Sequence, residues 1–446
     1  MLPRHKALPR NRYAISPALQ GITNMAYGNH SAKPRLILIG NGMAGVRTLE
    51  ELLKVAPEKY DISVVGEENH GNYNRIMLSP VLAGEQRVEQ IILNGEDWYR
   101  HHAIRLYKGE KAIHIDRARR TVQLASGEHL PYDKLILATG SRPTTLPIPG
   151  HQLGHLLTFR EIRDVDRMLH LTKTLHHAAV IGGGLLGLEA ASGLRQQGME
   201  VTVVHSGSWL LNKQLDETAA RLLQRTLESR GIRFCLNART HAFLGDAQGN
   251  VRALEFQTGE TLEADMVVTA TGITPNVELA IHSGLQCSNG ILVNDTLQTF
   301  DPVIYAVGEC VQHRGRLFGL VAPLYEQARV CANHLAELGI ARYVQKPEAT
   351  KLKITGIQAF SAGDFMGEEG AETLTFHDRE QGHYRKLVIR DGRLTGAVLY
   401  GDTQDGGWFF ELIQQKVNIQ EWRDHLIFGK DFCLATSDSS TFPAAA

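Results

Sequence analysis

The chain has 446 residues, 43% of them hydrophobic and 21% charged. This is an ordinary globular composition, long enough to expect two or three domains rather than one core. A net charge of −1 supplies no field for gripping nucleic acid or an anionic membrane, and no apolar run reaches bilayer-spanning length. Five cysteines (Cys235, Cys287, Cys310, Cys331, Cys433) stand far apart with no CxxC among them. That argues for reduced, cytoplasmic thiols and against a disulfide framework, a redox dithiol, a cysteine-ligated cluster or a zinc ribbon; no metal site is expected.

Residues 1–34 contain no Asp or Glu and no periodicity. They read as a disordered arm, or as sequence upstream of a start at Met25, rather than as a targeting segment. At Arg35 an apolar run begins and drops into Gly40-Asn-Gly42-Met-Ala-Gly45, with a helical pattern continuing to Lys54. The three glycines have separate tasks: Gly40 makes the tight turn, Gly42 leaves no Cβ before a pyrophosphate, and Gly45 lets helix and strand pack closely. A second strand, Tyr60 to Gly66, ends at Glu67, where a carboxylate accepts the hydrogen bonds of an adenosine ribose. A polar loop at His70 turns into an apolar helix near Ser79. Alternating strands follow at Ala112–Asp116 and Thr121–Leu124, and the unit closes on Leu135-Ile-Leu-Ala-Thr139-Gly140 with Arg142 behind it.

After a connector with Pro143, Pro147 and Pro149, the theme repeats. Ala178-Ala-Val-Ile leads into Gly182-Gly-Gly184-Leu-Leu-Gly187, and a strand at Val201–Val204 ends at His205. An amphipathic helix spans Glu217–Arg230 and stops at Gly231. The run Met266 to Gly272, with Thr271, repeats the strand-to-ATG closure of the first unit. Val303-Ile-Tyr-Ala-Val-Gly308-Glu309 is one more buried strand without an elbow of its own. It most economically completes the first sheet, which makes the second nucleotide unit an insertion. Beyond Lys351 the pattern changes to hairpins, with an Asp391-Gly392 turn and a helix at Asp405–Gln415.

The expected fold class is α/β: two Rossmann-like three-layer dinucleotide-binding domains, the second inserted in the first, plus a C-terminal α+β domain. The boundaries are 35–145 with 264–335 for the first domain, 146–263 for the second, 350–436 for the third, and a disordered tail from 437 to 446. Two dinucleotide pockets on one chain point to hydride transfer from a transiently bound nicotinamide to a permanently bound flavin.

The paired elbows, the two ATG closures and Ile304-Tyr-Ala-Val-Gly308-Glu309 resemble the two-dinucleotide-binding flavoprotein family. That family includes ferredoxin and rubredoxin reductases and apoptosis-inducing-factor-like proteins. Asn72-Tyr-Asn-Arg75-Ile-Met-Leu-Ser79, Gly187-Leu-Glu189, Gln214-Leu-Asp216 and Ser361-Ala-Gly-Asp-Phe365 most resemble the flavin half of NAD(P)H-dependent assimilatory nitrite reductases. The likeness extends to the stand-alone flavin subunits that feed assimilatory nitrate reductases. It covers roughly residues 35–430 and ends where the larger enzymes continue into iron–sulfur and siroheme domains.

The resemblance implies FAD held by Gly40, Gly42, Gly45, Glu67, Arg75, Thr139, Gly140, Arg142, Gly308 and Glu309. The nicotinamide dinucleotide is then held by Gly182, Gly184, Gly187, Glu189, His205, Thr271 and Gly272. Ile76 and Met77 stand where the family has two prolines, and Pro80 where it has the lysine that pairs with the equivalent of Glu189. Glu189 is then left either to accept from the nicotinamide carboxamide or to be a surface carboxylate. The helix start around Val321, with Tyr325 and Ala328, matches the family's flavin pyrimidine-edge helix; Tyr325 either shields the flavin face or simply packs. His205 and Ser206 offer neither acid nor arginine for the second ribose, and the reading leans to NADH because no cationic cluster stands there.

The implied function is an NAD(P)H reductase that passes electrons to a protein acceptor, a nitrate or nitrite reductase, a ferredoxin or a rubredoxin. The alternatives are a reductase of another pathway and an NADH-sensing flavoprotein with little turnover. The C-terminal domain is read as a homodimer interface or as the acceptor's dock.

Overall fold

The computed structural model describes residues 33–346, 349–354 and 356–439. The expected arm, apart from Lys33 and Pro34, and the tail from 440 lie outside the described residues.

The first domain is built on a parallel five-stranded sheet in the spatial order Ile304–Ala306, Lys134–Leu137, Arg35–Ile39, Asp61–Gly66, Arg105–Lys108. Its central strands are apolar on both faces because both are covered, and their core takes in residues of the helices and of antiparallel strands that supply Ile115, Val122 and Leu124: Leu36, Leu38, Leu135, Ile136 and Leu137 are wholly buried. Helix Met43–Val55 lies on one face and packs against helix Val321–Leu335. The strand Ile304–Ala306 aligns beside Lys134–Leu137, with Tyr305 opposite Ile136. The inserted domain therefore lies between two strands of one sheet.

The inserted domain repeats this plan. Its parallel sheet runs Leu156–Thr158, Met266–Thr269, His177–Ile181, Glu200–Val204, Ile232–Cys235. Each domain also carries an antiparallel three-stranded meander, Ala112–Asp116 with its two successors in the first and Thr240–Gly245 with its two successors in the second. The boundary expected at residue 263 falls later. Met266–Thr269 hydrogen-bonds between His177–Ile181 and Leu156–Thr158, because its apolar face completes the inserted core and not the first one. The chain crosses between domains at Ser141–Pro143 and Ile273–Pro275, and these two segments pair antiparallel, Arg142 opposite Thr274.

The C-terminal domain is an antiparallel five-stranded sheet, order Ala349–Ile354, Ile357–Gly363, Arg393–Tyr400, His383–Arg390, Glu372–Asp378, with helix Gly406–Gln415 packed on it. Asp391 and Gly392 turn the central hairpin, with φ of 50° and 66°, the left-handed pair that a tight hairpin needs. The tail expected from residue 437 is met at its start by helix Lys430–Ser439, which includes residues 437–439. This domain is held to the inserted one by a buried hydrogen bond, Tyr384 Oη donating to Asp216 Oδ2 at 2.7 Å. Asp216 also caps helix Glu217–Ser229 by accepting from the Ala219 amide. Among the described residues, no helix is long and apolar enough to cross a membrane.

Candidate functional site

Both glycine elbows open on a single cavity of about 2430 Å³, walled by all three domains. At each elbow the same geometry recurs. Gly40 has φ of 108° and Gly182 has φ of 124°; an added Cβ would stand 2.1 Å from the Ala138 carbonyl oxygen or 2.3 Å from that of Ala270. A Cβ on Gly45 or Gly187 would meet the carbonyl oxygen of Gly40 or Gly182, at 2.8 and 1.9 Å. At Gly42 and Gly184 the opposite holds, with nothing within 4 Å of the position a Cβ would take. The first and third glycines are required by the fold itself. The middle ones face open space.

The helices that start there are prepared for an anion. Neither Met43–Val55 nor Leu185–Gln196 has a side-chain cap or an acid in its first turn. Elsewhere Asp216 caps one helix and Glu161 with Asp164 forms a capping box on another. Uncapped amide donors at a helix start, aimed into a cavity, are what a pyrophosphate binds. The residues present therefore fit two dinucleotides.

Around the first elbow, Glu67 stands at the cleft rim, its side chain 68% exposed, with Lys111 Nζ 3.0 Å away. Its neighbour Glu68, which sequence reasoning passed over, turns inward, accepts from Tyr73 Oη at 2.7 Å and pairs with Arg75. The Arg75 guanidinium also donates to the Arg160 carbonyl at 3.0 Å and lies over the Tyr73 ring. Glu309 accepts from Ser141 Oγ at 2.8 Å, and the same carboxylate oxygen is paired with Arg160. Arg160, which belongs to the inserted domain, thereby joins Arg75 and Glu309 of the first. No local motif announces it. Thr139 and Asn276 exchange two hydrogen bonds, Thr139 Oγ1 to the Asn276 carbonyl and Asn276 Nδ2 to the Thr139 carbonyl. Arg142, half exposed, pairs with Glu278 at 2.7 Å. The second closure is tied to the crossing segment, Thr271 Oγ1 donating to the Thr144 carbonyl at 2.9 Å.

Glu189 is not a free surface carboxylate: Ser79 Oγ donates to its Oε2 at 2.7 Å. Helix Leu78–Ala83 meets helix Leu185–Gln196 closely because Gly193 has no side chain, and a Cβ there would sit 2.8 Å from Leu82 Cγ. Ser79 lies one turn before Leu82, and Glu189 one turn before Gly193, so the same approach that needs the glycine joins the hydroxyl to the carboxylate. Burial pushes the Glu189 carboxyl up, and the Ser79 hydrogen bond opposes it. In place of a lysine, the carboxylate facing the shared cavity has a neutral hydroxyl donor.

His205 lies beneath the second elbow, its Nδ1 accepting from the Gly183 amide at 3.3 Å. Burial pushes its imidazole down, favouring the neutral form, and its buried Nε2 has no partner within the protein. Tyr325 and Ala328 are not brought to the cavity. Tyr325 lies under the Arg47 guanidinium, 5.3 Å from it, and Ala328 is fully buried inside its helix; Val321 and Leu324 line the cleft instead. Gln327, on the same helix, accepts from the Gly308 amide at 2.8 Å.

A family model described as pyridine nucleotide-disulphide oxidoreductase matches residues 34–333. The chain belongs to the pyridine nucleotide-disulphide oxidoreductase family. A second model, the rubredoxin NAD+ reductase C-terminal domain, matches residues 349–417. The chain is 48% identical over 389 residues to the NAD(P)H nitrite reductase of Bacillus subtilis (strain 168), covering 87% of this chain and 48% of that protein. It is 45% identical over 373 residues to the assimilatory nitrate reductase electron transfer subunit of the same organism, covering 84% and 48%. It thus spans about half the length of these curated relatives. The fold is shared with the reductase in a covalent putidaredoxin reductase–putidaredoxin complex, with a TM-score of 0.81, 24% identity and coverage of 92% of this chain and 100% of that one.

By family the chain is an FAD-dependent NAD(P)H oxidoreductase. The dithiol that the family name mentions has no counterpart here. Cys310 and Cys331 are buried in the first domain's core, burial raises both thiols and lifts Cys287 to about 11, and such thiols are poor nucleophiles.

Proposed function

We propose that this chain takes hydride from a nicotinamide dinucleotide onto FAD and delivers the electrons to a separate redox protein in the cytoplasm, in the reduction of nitrate or nitrite. The observation that carries the reading is that both elbows, each with an open middle glycine and an uncapped helix, face one cavity. When bound, the nicotinamide supplies a hydride, and the flavin accepts it and releases electrons singly. The amide donors at the two elbows would hold the two pyrophosphates, Ser79 keeps Glu189 in place at the junction of the domains, and all three domains wall the cavity, which limits access of water. With no dithiol among the five cysteines, the outward path runs from the flavin itself.

The pathway assignment is supported by the two Bacillus subtilis relatives. The match of residues 349–417 to a rubredoxin reductase domain favours a second reading, in which a rubredoxin-like protein is the acceptor. Homodimerisation through the C-terminal domain is part of the proposal.

Anaerobic mixing of the purified flavoprotein with NADH or NADPH should bleach the flavin's visible band rapidly, with fast turnover on ferricyanide. A well-folded protein that takes up no flavin would overturn the reading; slow bleaching with a long-lived charge-transfer band would replace it with a sensor. Supplying a nitrite or nitrate reductase without its own NAD(P)H module tests the pathway. NAD(P)H consumption independent of nitrite or nitrate would remove that assignment, and rubredoxin as acceptor tests the second reading.

A further inference from the structure

The two dinucleotide sites are copies of one design, and they differ at the point where the adenosine ribose is read. In the first, the second strand ends in Glu67. A carboxylate there suits a ribose diol and repels a phosphate. In the second, the corresponding strand ends in His205-Ser206, and the fold brings two cations to that end of the cavity.

Arg239 arrives from the segment after strand Ile232–Cys235. The Ala238 amide donates to the His205 carbonyl at 3.0 Å, and the Asn237 amide to the Gly207 carbonyl at 3.0 Å. These bonds fasten Arg239 alongside residues 205–207. Lys213 arrives from the loop that folds back over the elbow, where the Leu211 amide donates to the Gly183 carbonyl at 2.9 Å. Both cations line the cavity, both are exposed, and among the described residues neither is paired with a carboxylate.

The inserted domain's cleft-lining carboxylates lie elsewhere. Glu161 pairs with Arg163, and Glu189 is held by Ser79. His205, kept neutral under Gly183, contributes no charge. The positive field at this end therefore comes from Arg239 and Lys213. The residues next to His205 in sequence carry no cation, and Arg239 is 34 positions away.

We propose that the inserted domain recognises the 2′-phosphate of NADPH, with Arg239 the specificity-determining residue and Lys213 and the Ser206 hydroxyl completing the anion site. This rests on the reductase reading for its physiological meaning, but its test does not. The full-length holoenzyme is titrated calorimetrically with adenosine 2′,5′-bisphosphate and with 5′-AMP. The bisphosphate should bind on the order of 10- to 100-fold more tightly, the range expected for charge-assisted hydrogen bonds. Added salt should weaken the bisphosphate more than the monophosphate.

Arg239→Ala should remove most of that preference and Arg239→Glu should reverse it. The ratio of kcat/KM for NADPH to that for NADH should fall by a similar factor in each. Equal affinity of the wild type for the two nucleotides overturns the proposal, as does a preference that neither Arg239 variant moves. If neither dinucleotide reduces the flavin, the reductase reading fails while the nucleotide titration still decides this one.

Discussion

Gly42 and Gly40 stand two residues apart and should respond to the same methyl group in opposite ways. Gly42 has φ of −82° and ψ of 177°, an extended conformation that alanine adopts without strain, and its Cβ would meet no protein atom within 4 Å. Gly42→Ala should therefore fold, with stability raised by about 0.4–1 kcal/mol through the smaller entropy of the unfolded chain. The same methyl stands in the space left for the pyrophosphate. An overpacking cost of about 1–3 kcal/mol translates to FAD binding about 5- to 150-fold weaker. Gly40→Ala meets the opposite fate, since its φ of 108° is unfavourable for an L side chain and its Cβ would lie 2.1 Å from a backbone oxygen. That variant should lose stability before affinity can be read. Flavin content per polypeptide, titration of the flavin-free protein with FAD, and thermal unfolding of the flavin-free forms separate the two effects, because bound flavin adds its own stability. If Gly42→Ala retains the parent's affinity for FAD, the assignment of this elbow to the pyrophosphate is wrong.

Three further outcomes follow from contacts described above. Ser79→Ala removes the hydrogen bond that offsets burial at Glu189. The carboxyl then rises further and is less ionised at any given pH, so the acidic limb of the flavin-reduction profile should move to higher pH; an unmoved limb would detach Glu189 from the reaction. Arg160→Ala leaves the Glu309 carboxylate, 14% exposed, with Ser141 as its remaining partner. The cost should be on the order of 3 kcal/mol in urea unfolding of the flavin-free protein, and a change below about 1 kcal/mol would mean that water already serves this pair. Tyr384→Phe removes the buried hydroxyl donor to Asp216 and should cost about 1–3 kcal/mol, seen as earlier proteolysis between the inserted and C-terminal domains.

What could be read from the sequence was whatever depends on neighbours in the chain. The elbows, their order and the strand Ile304–Ala306 are written in apolar runs and glycines whose roles are local, and the hairpin at Asp391-Gly392 carries its own turn chemistry. Rotation about a helix is not written that way: Tyr325 and Leu324 are adjacent, and only packing against helix Met43–Val55 turns Leu324 to the cavity and Tyr325 to Arg47. The boundary near residue 263 failed because an apolar strand suits either of two parallel sheets, and pairing partners decide between them. Arg160, the Ser79–Glu189 pair and Arg239 were invisible for a related reason. Arg160 and Ser79 join the site through partners 149 and 110 positions away, and the segment of Arg239 through the bond from Ala238 to His205; no motif spans such distances.

The order in which the strands leave the ribosome bears on how the protein assembles. Every strand of the inserted sheet lies between residues 156 and 269, whereas the first sheet waits for Ile304–Ala306 to cover the edge of Lys134–Leu137. Sequential synthesis thus completes the guest before the host, leaving Lys134–Leu137 for a time as an exposed, aggregation-prone edge. The pairing of Ser141–Pro143 with Ile273–Pro275 brings the guest's two ends side by side. A formed guest then acts as a short staple in the host's chain, and the closure entropy for docking the last strand is that of a much smaller loop.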